Sequence, residues 1–181
     1  MGTVVALETE CGVAIAGDTR SSRNGTVESG ERRRVFDFGT VGVGVVGDGS
    51  AIEQFQHRFG ATLRSREFET GREPTIETAA GVGAHQAEHA NVDAAVAARD
   101  ADGTPRLREV RADGAVLDGP RVALGSGATV ALGRLDSAAP SDVDELAAAV
   151  RTAVAAASER DAQTGDDVDV WTLSDDGRDT D

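Results

Sequence analysis

Extended and helical patterns occur in blocks along this chain rather than in strict alternation. Short runs rich in β-branched residues predict strands, and apolar residues spaced three or four apart predict helices. Because two helices follow one another without a strand between them, the order excludes a doubly wound parallel sheet and predicts an α+β layered architecture. The predicted elements are strands at Thr3–Leu7, Gly12–Ala16, Arg34–Phe38 and Val41–Val46, helices from Ser50 to Gly71 and from Pro74 to about His89, strands at Ala94–Arg99, Leu107–Val110, Ala115–Leu117 and Val122–Leu124, a helix from Pro140 and a strand at Val168–Leu173.

The length of 181 residues fits one ordinary domain. No internal repeat and no Pro/Ser-rich linker divides the chain, so we expect one domain over residues 1–173 and an acidic, disordered tail at 174–181. Ser50 and Glu53 match the Ser-x-x-Glu capping box, which predicts that the first helix begins near Ser50.

The charged residues are strongly biased towards acids. The 18 basic residues are all Arg, and 32 Asp and Glu oppose them, which gives a formal net charge of -14. Without lysine there is no phosphate-binding Gly-Lys-Ser/Thr loop and no lysine Schiff base, and the acidic balance argues against a nucleic-acid partner. No apolar run reaches the length of a membrane span and no signal-like segment is present, so we expect no membrane partner and a cytoplasmic location.

The same bias indicates a saline environment. A carboxylate-rich surface without lysine keeps a protein hydrated where salt screens repulsion, which favours a halophilic source. A GC-rich genome, which also favours Arg, Ala, Gly and Asp, is the alternative.

One glycine run matches a dinucleotide-binding fingerprint. Gly42, Gly44 and Gly47 have the Gly-x-Gly-x-x-Gly spacing that lets a pyrophosphate approach the backbone at a helix N-terminus. The intervening valines are typical of a strand rather than of a loop, and a second helix stands where the next strand of a dinucleotide unit belongs. The pattern therefore favours a glycine-rich core strand, with dinucleotide binding as the alternative.

A second motif suggests a metal. His85, Glu88 and His89 match the inverted zinc-protease pattern His-x-x-Glu-His, in which two imidazoles share Zn²⁺ and the glutamate acts as a base. No third ligand can be chosen among the 32 acidic residues, and polar residues are expected at a helix end in any case. A zinc hydrolase is therefore a remote alternative.

Five dispersed segments are uninformative singly, since each fits a turn, a solvated charge cluster or a helix end. Together, in this order and at nearly these spacings, they resemble a β-type subunit of the proteasome, within the N-terminal-nucleophile hydrolases. The resemblance extends from about Gly2 to Leu173. The segments are Gly2–Leu7, Ile15–Arg20, Arg32–Val35, Gly125–Gly127 and Arg160–Asp166.

The resemblance implies a four-layer αββα sandwich of N-terminal-nucleophile hydrolase type, assembled into stacked rings. It also implies a threonine protease without a cofactor or metal, in which a free N-terminal threonine is the nucleophile and its α-amine can serve as the base. A lysine held by an aspartate assists, and a glycine N–H forms the oxyanion hole. The implied partners are further copies of the chain or proteasome-type subunits, with unfolded protein or peptide as the substrate.

Most of the family's site positions carry suitable residues here. Asp18 matches the orienting aspartate and Gly47 the oxyanion glycine, whereas Ser126 and Asp161 match the residues that surround the amine. Thr164 takes the place of a second serine.

Two positions depart from the family pattern. Gly2 stands where the nucleophilic threonine belongs, and Arg34 replaces the lysine. A guanidinium does not release a proton at usable pH, so Arg34 can only stabilise charge. We therefore expect a subunit with impaired or lost protease activity and a structural or regulatory role in protein degradation. Family precursors are cut between Gly and Thr, so an active peptidase that uses a freed Thr3 is the alternative.

Overall fold

The computed structural model describes residues 1–23, 26–29 and 32–175 and contains two antiparallel sheets that are covered by helices. The bounds follow in chain order. They are β1 (Thr3–Thr9), β2 (Gly12–Asp18), β3 (Ser21–Arg23), β4 (Thr26–Ser29), β5 (Val35–Asp37), β6 (Gly42–Val46), α1 (Gly49–Thr70), α2 (Ile76–Ala90), β7 (Asp93–Arg99), β8 (Pro105–Val110), β9 (Val116–Asp118), β10 (Arg121–Gly125), α3 (Ala128–Leu135), α4 (Val143–Ser158) and β11 (Val168–Ser174).

The two larger sheets lie face to face. One has the strand order β10-β1-β2-β11 and the other the order β5-β6-β7-β8-β9, and β3 and β4 form a separate hairpin. In the first sheet Thr3 pairs with Gly125 and Asp18 pairs with Val168. This register brings the start of β1 and the end of β2 to the same edge as the loops that follow β10 and precede β11.

Three apolar clusters fill the spaces between four layers. On β1, Val4 points into the cluster between the sheets, whereas Val5 points into the cluster beneath α3 and α4. On β7, Ala95 lies between the sheets and Val96 packs beneath α1 and α2. This alternation follows from the two-residue period of a strand that is buried on both faces. The predicted αββα sandwich is confirmed.

The glycines of β6 allow the sheets to approach closely. A Cβ on Gly42 would overlap the ring of Trp171, and one on Gly44 would lie 2.5 Å from Val4 Cγ1. Gly42 and Gly44 lie within a strand rather than in a loop at a helix start. The dinucleotide-binding interpretation thereby loses its structural basis, because its glycines are needed for packing.

The predicted strands and helices are confirmed to within a few residues, but two local expectations fail and two elements were not predicted. The helix α1 begins at Gly49, which confirms the predicted start near Ser50, but the capping box itself is wrong, because Asp48 is the N-cap and makes no side-chain cap bond. The helix α3 and the hairpin β3–β4 were not predicted. Ser174, placed in the tail by the sequence analysis, belongs to β11, and residues 176–181 of that tail lie outside the described residues.

The helices of the described residues include no segment whose length and hydropathy would suit a membrane span.

Candidate active site

Asp18 is the buried anion at the centre of the candidate site. It is the last residue of β2, and its side chain is fully buried. Its Oδ1 accepts hydrogen bonds from the backbone N–H of Thr3 at 2.6 Å and from Nε of Arg34 at 3.2 Å. Its Oδ2 accepts from the backbone N–H groups of Arg20 at 3.0 Å and Gly165 at 2.9 Å. Four donors therefore replace the water that this carboxylate loses on burial.

Arg34 supplies the positive charge opposite Asp18. It directly precedes β5, and only 3% of its side chain is exposed. Its Nη2 donates to the carbonyl oxygen of Arg20 at 2.7 Å, whereas its buried Nη1 has no hydrogen-bond partner in the described part of the chain. Burial lowers the pKa of the Arg34 guanidinium from its usual value, and the Asp18 carboxylate opposes that shift. A guanidinium does not release its proton at usable pH, so Arg34 remains a cation.

Gly2 lies directly against the Arg34 guanidinium. Its φ of 54° is in the left-handed region, which favours glycine. A Cβ on this residue would overlap Cζ, Nε and Nη2 of Arg34. The carbonyl oxygen of Gly2 accepts a hydrogen bond from the N–H of Ser126 at 3.1 Å. In this conformation Arg34 occupies the volume that a side chain at position 2 would need.

Thr3 is fully buried, and its hydroxyl is engaged on both sides. The N–H of Gly127 donates to Thr3 Oγ1 at 3.0 Å, and Oγ1 lies 2.7 Å from Oγ1 of Thr164. Thr164 donates its own hydroxyl proton to Oδ2 of Asp161 at 2.6 Å. Because a hydroxyl carries one proton, Thr3 is the donor and Thr164 the acceptor in the bond between them.

Asp161 accepts hydrogen bonds from two hydroxyl groups of this network. Ser126 donates to Oδ2 of Asp161 at 2.5 Å, beside the bond from Thr164, and the N–H of Gln163 donates to Oδ1 at 3.0 Å. Burial by itself raises the pKa of Asp161, but these donors outweigh it and hold the pKa below its usual value. Asp161 therefore remains an acceptor at neutral pH.

Secondary structure explains why these residues converge. Thr3 begins β1 and Asp18 ends the antiparallel β2, so the two are neighbours at one sheet edge. Ser126 follows β10, which pairs with the other side of β1. The loop that carries Asp161 and Thr164 runs from α4 towards β11, the strand beside β2.

Gly47 lies directly after β6, where a Cβ would be 2.7 Å from Cγ1 of Val92. Its neighbour Asp48 is close enough to act on the Met1 amine, which donates to Oε1 of Gln163 at 2.6 Å. Burial and the charge of Arg34 lower the pKa of that amine, and the nearby carboxylates, Asp48 among them, oppose the shift. Within β6, the N–H of Val45 donates to the carbonyl oxygen of Arg34 at 2.9 Å, which brings the strand that leads into this loop next to the network.

The structure joins Thr3, Asp18, Arg34, Ser126, Asp161 and Thr164 in one hydrogen-bond network. Gly47 takes no part in these bonds. The backbone N–H groups of Gly127 and Gly165 belong to the network and were not predicted. Both glycines lie within segments that the sequence analysis singled out, Gly125–Gly127 and Arg160–Asp166, but a pattern of side chains does not reveal which N–H points inwards.

Comparison with known proteins shows the family of the chain. A family model described as "Proteasome subunit" matches residues 1–173. The chain belongs to the proteasome subunit family. It is 30% identical to proteasome subunit beta type-5 of Spinacia oleracea, over 97% of this chain and 67% of that protein. It is 29% identical to proteasome subunit beta 1 of Staphylothermus marinus, over 97% of this chain and 86% of that protein. Proteasome subunit beta type-5-A of Arabidopsis thaliana is 28% identical over 97% of this chain and 66% of its own length.

The zinc motif lies apart from the network of this proteasome-family chain. His85 and His89 are exposed on α2, which packs on the other sheet. Within residues 1–23, 26–29 and 32–175, no group of three or more His, Cys, Asp or Glu side chains is placed to hold a metal ion. The motif therefore lacks the third protein ligand that a zinc hydrolase uses.

The Thr3 network makes a stability prediction. Thr3→Val preserves the shape of the side chain but leaves the Gly127 N–H without its acceptor, and an unsatisfied buried donor costs about 1–3 kcal/mol. We expect urea unfolding to show a loss of this size for Thr3→Val. The matched control Thr152→Val, on the exposed face of α4, should change the free energy of unfolding by less than about 0.5 kcal/mol. Equal stability of the two variants would contradict the described network.

Proposed function

We propose that this chain is a β-type proteasome subunit that has lost threonine-protease activity and serves a structural or regulatory role in protein degradation. The observation that carries the proposal is the contact between Gly2 and Arg34. At the position where the family resemblance places a nucleophilic hydroxyl, there is no side chain, and the guanidinium of Arg34 fills the space.

The permanent charge of Arg34 also argues against threonine-protease activity. In the family mechanism a lysine near the nucleophile favours removal of its proton. Arg34 is a permanent cation, and its Nε and Nη2 are committed to Asp18 and to the Arg20 carbonyl. It can hold a carboxylate and neighbouring loops in place, but it cannot accept a proton.

The second candidate is a peptidase whose nucleophile is Thr3, and the Gly2-Thr3 dipeptide favours it. The contacts of Thr3 favour loss of activity instead, because its backbone nitrogen donates to Asp18 and its hydroxyl donates to Thr164. A hydroxyl displaced by one residue is also poorly placed, since a shift of about an ångström costs on the order of a hundredfold in rate.

Restoring the family's threonine at position 2 and lysine at position 34 tests the proposal. We expect the wild-type chain to show no hydrolysis of fluorogenic peptides and no adduct by intact mass after incubation with an electrophile directed at N-terminal threonine. The double variant Gly2→Thr/Arg34→Lys, with Met1 removed, should gain both reactivities, because it restores a hydroxyl and removes the guanidinium that blocks it. Each single substitution should stay inert.

A chain that begins at Thr3 is the matched control for the second candidate. It should form no adduct with the same electrophile. An adduct on Thr3, in this chain or in the wild type, would contradict the loss of activity and establish the peptidase.

We propose further that the chain assembles with copies of itself or with other proteasome-type subunits. The known relatives are proteasome subunits by name. The net charge of -14 opposes association at low ionic strength, where repulsion between like charges extends furthest.

Salt should therefore control assembly. The Debye length falls from about 10 Å at 0.1 M salt to about 3 Å at 1 M. We expect sedimentation velocity to show monomers at about 0.1 M KCl and larger species above about 1 M, because screening removes the repulsion. Monomers throughout the salt series would contradict self-assembly. Assembly with other proteasome-type subunits would then be tested by mixing the chain with a partner subunit.

A further inference from the structure

The two exposed histidines of α2 form a pair that the proposed function does not use. His85 and His89 are four residues apart, so one helical turn places them on the same face. Their ring centroids are 4.4 Å apart, and the ring planes are inclined by 54°. Both side chains are exposed, so an ion can reach them from solvent.

A backbone contact fixes the tautomer of His89. Its Nδ1 lies 2.8 Å from the carbonyl oxygen of His85. Because a carbonyl oxygen only accepts, Nδ1 must carry the proton, and in the neutral ring the lone pair is then on Nε2. Metal-binding histidines commonly show this arrangement, in which one ring nitrogen donates to a carbonyl and the other binds the ion.

The spacing of the rings suits chelation. A ring nitrogen lies about 1.1 Å from its ring centroid and about 2.0 Å from a bound ion, so each centroid lies about 3.1 Å from the ion. Two imidazoles at about 90° to one another, as in a square-planar or tetragonal Cu²⁺ complex, then have centroids about 4.4 Å apart, which is the separation observed here.

Glu88 does not complete a hydrolytic centre. Its carboxylate is turned towards the tight turn between β8 and β9, where a Cβ on Gly114 would lie 3.6 Å from Oε2 of Glu88. No third ligating side chain joins the pair in the part of the chain that the structure describes. The remaining coordination positions of an ion would therefore be filled by water.

We propose that His85 and His89 form a surface site that chelates a divalent transition-metal ion of intermediate softness. This site is independent of the proteasome-type site. Imidazole nitrogens favour Cu²⁺, Ni²⁺ and Zn²⁺ over the oxygen-seeking Mg²⁺ and Ca²⁺. By the general order of divalent affinities, Cu²⁺ binds more tightly than Ni²⁺ or Zn²⁺. With two protein ligands, the site binds an ion without activating water for peptide hydrolysis.

Isothermal titration calorimetry measures the affinity of the full chain for Cu²⁺, Zn²⁺ or Mg²⁺, each added alone near pH 7.5, and tests the proposal. The wild type should bind one Cu²⁺ at this site, Zn²⁺ more weakly and Mg²⁺ not at all. His85→Gln should weaken Cu²⁺ binding by at least about tenfold, because one of the two nitrogens is lost. This variant retains the backbone carbonyl that orients His89, so it removes only a ligand.

His57→Gln is the matched control. His57 is exposed on α1 with Glu53 and Ala61 at the positions four residues away, so it has no imidazole partner on its helix, and its loss should leave the affinity unchanged. Nitrogen hyperfine structure in the electron paramagnetic resonance of the Cu²⁺ complex should report two imidazoles in the wild type and one in His85→Gln. Equal Cu²⁺ affinities of the wild type and His85→Gln would overturn the proposal, as would a loss of binding in His57→Gln.

Discussion

The buried pair of Asp18 and Arg34 is the interaction on which the rest of the site depends. Removal of two charges from water costs several kcal/mol for each ion, and attraction between them offsets this only when further hydrogen bonds complete the geometry. Here the carboxylate collects donors from Thr3, Arg20 and Gly165, so the start of β1, the end of β2 and the loop before β11 are all held by one side chain. The pair therefore fixes the edge of the sheet at which the network forms.

Gly2 and Arg34 depend on one another. The guanidinium can lie where it does only because residue 2 has no Cβ, and a side chain at residue 2 would be blocked while the guanidinium remains. The two departures from the family pattern are thus one coupled change. Under the proposed loss of activity, Arg34 holds neighbouring loops in place of the lysine that assists proton transfer in the family mechanism.

Much of the fold and of the candidate site could be predicted from the sequence, and the predictions that failed did so for physical reasons. The strands of the core were evident because β-branched and small residues persist through them, and Asp18, Ser126, Asp161 and Thr164 were found through the family pattern. The helix α3 was missed because eight residues are too few to form a stable helix by propensity alone, and burial of Ala131 and Leu135 stabilises it. The contact of Gly2 with Arg34 depends on a backbone φ and a rotamer, which no pattern of residue types encodes.

A double-mutant cycle on Asp18 and Arg34 tests the central claim most directly. Asp18→Asn and Arg34→Met each leave one buried charge without its partner, so each should lower the free energy of unfolding by about 3–5 kcal/mol. The double variant buries no unpaired charge and should lose much less than the sum, with a coupling energy above about 2 kcal/mol measured by urea unfolding. Additive losses would show that the two side chains act independently and would contradict the account.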